Sequence, residues 1–180
     1  MTKNEFRIQC IERQKLAYKY NKTYNNAVIN KNIQKTLGRI RRQKILLYWP
    51  FGFEADIRKT IFKLRAKNSL YLPFMEGESF KMVPLRLPLE RKAFGIYEPR
   101  NSNLKLKNIT IAIVPVVGVD VTGARIGFGK GMYDRFFPTL KTKPFTIFVQ
   151  SCSCVSSLSL CDDYDIVGDV HITPDGVRSL

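Results

Sequence analysis

Gly123-Ala-Arg-Ile-Gly-Phe-Gly-Lys-Gly-Met-Tyr-Asp-Arg135 is the most informative segment of the chain for predicting its fold. Residues 111–117, which precede it, form an apolar run long enough for a buried parallel strand. After the glycines, Tyr133, Phe136 and Phe137 recur at helical spacing. The pattern therefore predicts a strand, a glycine loop and a helix in succession, which is typical of an α/β fold.

The glycine loop is expected to bind an anion. Backbone N–H groups and a helix N-terminus would point at one place, and Arg125 and Lys130 add positive charge. Asp134 places a carboxylate one turn into the helix. We interpret the stretch as a nucleotide-phosphate site with a metal ligand beside it.

The composition predicts one globular domain, residues 1–180, with a single hydrophobic core. Hydrophobic residues make up 44% of the chain, yet no apolar run approaches the ~20 residues that span a membrane. The N-terminal residues lack the apolar segment of a secretory signal, so a cytoplasmic protein without a membrane partner is expected. Four cysteines in a chain of this size do not predict a disulfide scaffold.

Positive charge is concentrated in the N-terminal part of the chain. The net charge is +15, and residues 1–44 carry twelve Lys or Arg against two Glu. This region is interpreted either as a solvated helical face or as a nucleic-acid surface. Its cations are not interleaved with an aromatic stacking platform, and no nucleic-acid motif accompanies them. We therefore expect no nucleic-acid partner, and we expect a monomer.

Hydrophobic periodicity and turn residues predict the other elements. Thr2 and Glu5 have the spacing of a capping box, so one helix is expected to start there and a second to cover residues 24–40. Glu54-Ala-Asp56 is expected to open a further helix, and residues 87–106 to form a long surface connection. Strands are predicted at residues 44–49, 69–74, 80–85, 109–117, 145–150 and 167–173. This alternation predicts a three-layer α/β fold, a mostly parallel Rossmann-like open sheet with helices on both faces.

Two standard phosphate-binding loops do not fit the glycine loop. A Walker A loop has Ser or Thr directly after its lysine, whereas Gly131 follows Lys130. The dinucleotide fingerprint requires a third glycine where Met132 stands. Because glycines still let a backbone close on a phosphate, the prediction of an anion site is kept.

A more specific pattern covers the loop and much of the chain. Arg125-Ile-Gly-Phe-Gly-Lys-Gly-Met-Tyr-Asp-Arg135 is preceded by Val114-Pro115 and Asp120. Other landmarks are Lys3-Asn-Glu-Phe-Arg7, Glu54-Ala-Asp56, Gly95-Ile-Tyr-Glu-Pro99, Gln150, and Asp165-Ile-Val-Gly-Asp169 followed by Ile172-Thr-Pro174. In this order, the motifs resemble those of the 5-formyltetrahydrofolate cyclo-ligase family. A single motif would be a weak sign, but six in the family's order make the resemblance specific.

The resemblance implies an enzyme that converts 5-formyltetrahydrofolate, with or without a polyglutamate tail, to 5,10-methenyltetrahydrofolate with ATP and Mg²⁺. The formyl oxygen would attack the γ-phosphate, giving ADP and a phosphorylated formyl intermediate. N10 of the folate would then attack the formyl carbon and release phosphate. Such chemistry needs positioning and charge neutralisation more than a protein nucleophile.

The resemblance also implies roles for individual residues. Arg125 and Lys130 would be catalytic, because they would neutralise the charge that builds on the γ-phosphoryl group. Asp134 and Asp169 would hold Mg²⁺, a hard cation that prefers carboxylate oxygen. Residues in contact with the folate would be Phe51, Asp56, Tyr97 and Glu98. Residues in contact with ATP would be Lys3, Asn4, Glu5, Phe6, Arg7, Arg125, Ile126, Gly127, Phe128, Gly129, Lys130, Gly131, Met132 and Tyr133.

Some positions depart from the family pattern. Val116 stands where a glycine is common, Met132 replaces a usual aromatic residue, and Tyr164 replaces a usual histidine. None of the three changes removes a charged or phosphate-facing residue. We therefore expect them to affect the shape of the substrate pocket and the rate, not the reaction class. Tyr48 and Trp49, at the end of a predicted strand, are interpreted as core residues.

Alternative interpretations use the same segments. Cys152, Cys154, Cys161 and His171 could form a zinc set, but a single C-x-C pair is a weak pattern and the histidine fits a partly buried strand. A basic nucleic-acid-binding accessory domain would have no use for two aspartates beside an anion loop. Another small-molecule phosphotransferase would need a catalytic base, and none is identifiable near the loop.

Overall fold

A computed structural model describes residues 1–92, 97–103, 106 and 108–180. Two residues of a motif singled out above, Gly95 and Ile96, lie outside the described residues. Within the described part of the chain, no helix combines the length and the apolar character needed to cross a membrane.

The first element is one long helix, α1 (Lys3–Leu37). The predicted capping box is confirmed, because the Thr2 hydroxyl accepts a hydrogen bond from the Glu5 N–H and the Thr2 N–H donates to the Glu5 carboxylate at 2.8 Å. The prediction of two separate helices is wrong, since α1 runs without a break for 35 residues. It contains no Gly or Pro, and it ends at Gly38, whose φ is +59°.

Seven described strands form one sheet, and four short strands form two separate pairs. In chain order the strands are β1 (Lys44–Leu46), β2 (Ser69–Glu76), β3 (Ser79–Pro84), β4 (Glu90–Arg91), β5 (Tyr97–Glu98), β6 (Ile111–Pro115), β7 (Gly118–Val119), β8 (Arg125–Ile126), β9 (Phe145–Val149), β10 (Val170–Thr173) and β11 (Gly176–Ser179). The large sheet has the order β11-β10-β9-β6-β1-β2-β3, while β4 pairs with β5 and β7 pairs with β8.

The five inner strands of the large sheet are parallel, and the two edge strands, β3 and β11, are antiparallel to their neighbours. The predicted mostly parallel α/β sheet is confirmed. Strand β2 lies on one side of β1, whereas β6, β9 and β10 follow on the other side. The chain therefore changes direction across the sheet between β1 and β6. Open α/β sheets bind ligands outside the carboxyl ends of the strands at such a point.

Helices cover both faces of the sheet, as predicted. Alternate residues of β1 point to opposite faces, so Ile45 belongs to one core cluster and Leu46 to the other. The first cluster packs against α1 and α2 (Arg58–Arg65). The second packs against α3 (Met132–Phe136) and the 3₁₀ turn that follows it, Phe137–Thr139. The second face is covered by less helix than the first, because α3 has only five residues.

Two boundaries differ from the sequence-based prediction and affect the site. Helix α2 begins at Arg58, so Glu54 and Asp56 lie in the loop before the helix and not in its first turn. The glycines from Gly127 onward do not follow β6 directly, because the hairpin of β7 and β8 lies between β6 and Gly127. Asp120 closes this hairpin: its carboxylate accepts hydrogen bonds from the N–H and hydroxyl groups of Thr122 and from the N–H groups of Ala124, Leu160 and Cys161.

The structure pairs Cys10 with Cys154 in a disulfide, which composition did not lead us to expect. The bridge joins α1 to the segment after β9. Because the sulfur of Cys154 is in the disulfide, this residue cannot be a zinc ligand. His171 is buried in β10 and hydrogen-bonded to Gln150 at 3.0 Å, as expected of a strand histidine. Burial lowers the pKa of His171 to about 4, so the ring is neutral. No group of three or more His, Cys, Asp or Glu side chains that could hold a metal occurs in the described ranges.

Candidate active site

Two cavities open beside each other at the carboxyl ends of β1 and β6, where the order of the strands reverses. The first has a volume of about 370 Å³, and seven of the described residues that line it are aromatic. We call it the aromatic cavity, and the residues that line it are Tyr48, Trp49, Phe51, Glu54, Leu72, Pro73, Met75, Phe80, Tyr97, Glu98, Pro115, Arg125, Phe128, Lys130, Gly131, Met132 and Tyr133. Tyr48 and Trp49 belong to the first core cluster or pack against it, as predicted, and both also line this cavity.

The second cavity, of about 480 Å³, is lined by charged residues and glycine backbone. We call it the charged cavity, and the residues that line it are Lys3, Arg7, Arg125, Gly127, Gly129, Lys130, Gly131, Asp134, Arg135, Asp162, Tyr164 and Asp165. Five cations against three carboxylates leave it with positive charge. The first turns of α1 and the glycine loop, which are 120 residues apart in sequence, thus meet in one positively charged surface.

Arg125 lies at the junction, because it lines both cavities together with Lys130 and Gly131. Its side chain is only 6% exposed, and its Nη2 donates a hydrogen bond to Asp134 at 2.6 Å. The guanidinium carbon also lies 5.2 Å from the centroid of the Tyr133 ring. The Nε of Arg125 is buried and has no hydrogen-bond partner among the residues that the structure describes. A guanidinium held in this way is oriented in advance, and one of its donors remains unused.

The glycine loop is fixed at both ends by arginines. Arg7 donates from Nε to the Gly127 carbonyl at 2.8 Å, and Arg135 donates to the Lys130 carbonyl and to the Glu78 carbonyl. Gly127 is required by close approach, since a Cβ at this position would overlap the guanidinium of Arg125. At the end of the loop, Gly131 has a φ of +58°, which favours glycine.

Lys3 is held at the rim of the charged cavity by two carboxylates. Its Nζ forms ion pairs with Asp165 and, at 3.3 Å, with Asp162. Burial alone would lower the pKa of Lys3, but the hydrogen bond and charge of Asp165 raise it overall. Lys3 therefore keeps its charge at neutral pH and is positioned for an anion that enters the cavity.

Two carboxyl groups lie in the aromatic cavity. Burial raises the pKa of Glu54 to about 8, although the backbone N–H of Phe51 donates to its Oε2 at 2.9 Å. Glu54 is therefore mainly protonated at pH 7, and a neutral carboxyl both donates and accepts hydrogen bonds. Glu98 is 7% exposed and accepts a hydrogen bond from the Met75 N–H at 3.3 Å.

Glu54 was missed as a site residue by sequence reasoning, which selected Asp56 instead. The available signal was its place as the first carboxylate after a buried strand. Asp56 forms an ion pair with Arg58, and its backbone N–H donates to Asn26 at 2.9 Å. It is absent from the described residues that line the two cavities.

The other predicted contacts fall into distinct places. Phe6 and Ile126 pack with Cys10 in a buried cluster and are not among the described residues that line either cavity. Asn4 accepts a hydrogen bond from Arg7 at 2.9 Å. Glu5 is engaged in the capping box of α1. The roles assigned to these residues in ATP binding stay predictions.

The two aspartates predicted as metal ligands lie in different surroundings. Asp134 lines the charged cavity and pairs with Arg125. Asp169 precedes β10, and its Oδ2 accepts a hydrogen bond from the Thr146 N–H at the amino end of β9 at 2.7 Å. Asp169 is not among the described residues that line either cavity. Of these two aspartates, the structure therefore brings only Asp134 to the charged cavity.

Comparison with known proteins places the chain in a family. A family model for the 5-formyltetrahydrofolate cyclo-ligase family matches residues 1–173. The chain belongs to this family. A relative named 5-formyltetrahydrofolate cyclo-ligase from Haemophilus influenzae is 31% identical over 112 residues, which are 57% of this chain and 60% of the relative. The relative of the same name from Escherichia coli K12 is 28% identical over 145 residues, 74% of this chain and 79% of that one.

Solved structures of cyclo-ligase relatives share the fold. The structure of 5,10-methenyltetrahydrofolate synthetase from Aquifex aeolicus superimposes with a TM-score of 0.79 at 26% identity and covers 100% of this chain and 93% of its own. A 5,10-methenyltetrahydrofolate synthetase from Mycoplasma pneumoniae gives a TM-score of 0.75 at 21% identity, covering 97% and 99%, and supports the fold alone. The resemblance identified from the motifs is thus confirmed at the level of the family.

Proposed function

We propose that this protein is an ATP-dependent cyclo-ligase that converts 5-formyltetrahydrofolate to 5,10-methenyltetrahydrofolate, with ADP and phosphate as the other products. One observation carries the proposal: an aromatic cavity and a charged cavity meet at Arg125 and Lys130. A folate in the first and a nucleotide in the second would bring a formyl oxygen next to a γ-phosphate. Membership of the cyclo-ligase family supports the same reaction.

The aromatic cavity suits a reduced pterin. Its walls include Trp49, Phe80 and Tyr133, which can pack against a flat ring, and its volume lies within the range of small-ligand sites. Glu54 and Glu98 are the carboxyl groups that line it. Carboxyl oxygens accept hydrogen bonds from the amino and ring N–H groups of a pterin, and the protonated form of Glu54 can also donate to a ring oxygen or nitrogen.

The charged cavity suits a triphosphate. The backbone of Gly127 and Gly129 lines it, and Lys3 and Arg7 approach from α1. Lysine acts as a compact point charge toward phosphate, whereas arginine offers a fork of donors. These groups would hold the phosphates in place while the reacting γ-phosphoryl group lies toward the junction of the cavities.

The reaction would proceed in two displacements. The formyl oxygen attacks the γ-phosphorus, the bond to the β–γ bridging oxygen breaks, and ADP leaves. N10 then attacks the formyl carbon and loses its proton, the carbon–oxygen bond breaks, and phosphate leaves. Arg125 and Lys130 neutralise the negative charge on the phosphoryl group, and the unused Nε–H of Arg125 is an additional donor at the junction.

The donor set fits Mg²⁺ bound together with a nucleotide. Mg²⁺ usually takes one or two carboxylates, several waters and the phosphate oxygens of the substrate. Asp134 is the carboxylate that would hold it in the charged cavity. When bound, the ion would neutralise phosphate charge. The assignment of Asp169 as a second ligand rests on the family resemblance.

The test is a spectroscopic assay for methenyltetrahydrofolate formed from 5-formyltetrahydrofolate with ATP and Mg²⁺. We expect product with the wild-type protein, and a folded protein that makes none would refute the proposal. We expect Asp134→Asn to lose most Mg²⁺-dependent turnover while its affinity for ATP falls less. Asp163→Asn is the matched control, since Asp163 is exposed and is not among the described residues of either cavity. Equal activity of both variants would show that Asp134 is not the metal ligand.

A further inference from the structure

One residue of the glycine loop, Phe128, faces a different cavity from its neighbours. Phe128 lines the aromatic cavity, whereas Gly127 and Gly129 on either side line the charged cavity. The loop is thus the shared wall of the two cavities at this point. A ligand that fixes the backbone of the two glycines therefore also fixes the Cα–Cβ bond from which the Phe128 ring projects.

Phe128 makes an aromatic contact with Phe53, which is not among the described residues that line the aromatic cavity. Its ring centroid lies 5.7 Å from that of Phe53, at an interplanar angle of 57°. Phe53 belongs to the loop after β1, which also carries Phe51 and Glu54 of the aromatic cavity. The contact therefore connects the loop that would hold phosphates with the loop that would hold the pterin. We call this pair the aromatic bridge.

Helix α1 contacts both loops that the aromatic bridge joins. Lys15 places its Nζ 6.0 Å from the centroid of the Phe53 ring. Two turns earlier, Arg7 donates to the carbonyl of Gly127, the residue before Phe128. One rigid helix thus contacts both loops that the bridge joins. Yet the Phe128 side chain is still half exposed, at 49%, so the contact is not part of the buried core.

We propose that the aromatic bridge of Phe53 and Phe128 couples the two cavities, so that a nucleotide in the charged cavity strengthens folate binding in the aromatic cavity. The inference rests on the proposed function, because it takes the two ligands from there. The arginines hold the glycine loop only at its ends, so a nucleotide on the backbone of Gly127 and Gly129 restrains the loop further, holds Phe128 against Phe53 and thereby restrains the loop of Phe51 and Glu54. The folate then binds without the entropic cost of ordering that loop. By linkage, the folate strengthens nucleotide binding by the same factor.

The size of the coupling follows from the contact. An aromatic pair contributes about 0.5–1.5 kcal/mol beyond its buried area. This range corresponds to a factor of about two to ten in affinity, and it lies within the usual range of coupling between sites. We expect the loss of either ring to reduce the coupling factor by this amount. Loss of both rings is expected to add little, because they form one contact.

The experiment measures folate affinity with and without a nucleotide. Trp49 is the single tryptophan and lines the aromatic cavity, so its fluorescence reports binding of 5-formyltetrahydrofolate. Titrations are done alone and with a non-hydrolysable ATP analogue plus Mg²⁺, and the ratio of the two dissociation constants is the coupling factor. The variants are Phe53→Ala, Phe128→Ala, the double variant and Phe128→Tyr, which keeps the ring. Phe145→Ala is the control, since Phe145 is similarly exposed at the amino end of β9 and is not among the described residues lining either cavity.

The outcomes separate the inference from the function on which it rests. We expect coupling in the wild type, Phe128→Tyr and Phe145→Ala, and a two- to tenfold smaller factor in the alanine variants of the bridge. Both ligands binding without coupling, or coupling unchanged in Phe53→Ala and Phe128→Ala, would overturn the bridge and leave the function intact. An equal loss in Phe145→Ala would also overturn it, because the effect would then be general destabilisation. A folded wild type that binds neither ligand would overturn the function and the bridge together.

Discussion

Replacing Glu54 by Gln is expected to stabilise the protein in a pH-dependent way. Burial in the aromatic cavity raises the pKa of Glu54 from 4.5 to about 8. In the unfolded chain the carboxyl ionises above about pH 4.5, whereas the folded protein keeps its proton until about pH 8. Between these values folding takes up a proton, so this group lowers the free energy of unfolding as the pH rises. Glutamine has the same size and stays neutral, and its amide oxygen can still accept the hydrogen bond from the Phe51 N–H.

The magnitude follows from the two pKa values. When the folded state holds one proton more than the unfolded state, the free energy of unfolding falls by about 1.4 kcal/mol for each pH unit. From the unfolded pKa up to pH 7 this gives an upper limit of about 3 kcal/mol. Glu54 is only partly buried and lines the open cavity, so water there reduces the cost of ionising it and hence this free-energy difference. We therefore expect Glu54→Gln to be more stable than the wild type by about 1–2 kcal/mol at pH 7 and equal to it at pH 4.

The assay is urea denaturation of both proteins at pH 4, 5, 6, 7, 8 and 9, followed by circular dichroism. Asp56→Asn is the matched control from the same loop and has the opposite sign. The hydrogen bond and charge of Arg58 lower the pKa of Asp56, so this carboxylate stabilises the fold above its unfolded pKa, and that contribution is lost as the pH falls. We expect Asp56→Asn to be destabilised at pH 7 by less than about 1 kcal/mol, because the ion pair is partly exposed.

Folate affinity gives a second measurement on the same variant. The neutral carboxyl of Glu54 is expected to bind the pterin, so wild-type affinity should fall as the pH rises through about 8. Glutamine also donates and accepts, and Glu54→Gln should keep its affinity across this range. If Glu54→Gln loses stability at pH 7, or if its difference from the wild type does not grow between pH 4 and pH 8, Glu54 is ionised in the folded protein and the reasoning is refuted.

Two further predictions concern the glycine loop and the disulfide. Gly127→Ala is expected to lower turnover more than tenfold, because the added Cβ would displace the guanidinium of Arg125. The control is Gly77→Ala, where φ is +60° and no described atom lies within 4 Å; it should lose about 1 kcal/mol of stability but keep its full activity. Equal turnover in both variants would contradict the role of close approach. For the disulfide, unfolding in iodoacetamide without reductant should label two thiols per chain and prior reduction should raise this to four, as measured by mass spectrometry, because Cys10 and Cys154 are bonded; four labels without reduction would contradict the pairing.

Local patterns were enough for much of the fold. The capping box of Thr2 and Glu5, the apolar run of β6 and the glycines of the loop act over a few residues, so sequence spacing predicted them. The single helix α1 was predicted as two, because its apolar positions are irregular and a break was inferred where none exists. Its continuity follows from the absence of Gly and Pro and from packing against the sheet.

In the candidate site, too, local patterns predicted some features and not others. The motifs at Lys3-Asn-Glu-Phe-Arg7 and Arg125–Ile126 with the following loop predicted which segments would meet, and the structure brings both to the charged cavity. Spacing did not show which carboxylate of Glu54-Ala-Asp56 faces the cavity, because both lie in a loop where side-chain direction has no fixed period. The same holds for Asp169, whose partner at the start of β9 is distant in sequence.

Short-range sequence patterns were sufficient to predict the class of fold, the glycine-rich and basic character of residues 123–135, and the family. These depend on backbone freedom, hydrophobic period and motif order, all of which are properties of short segments. Only the tertiary structure decided that Arg125 connects two cavities, that Glu54 keeps a proton in the aromatic one and that Phe53 meets Phe128. The physical reason is that burial, charge pairing and ring contact depend on distances between segments, and these are set by packing across the whole sheet.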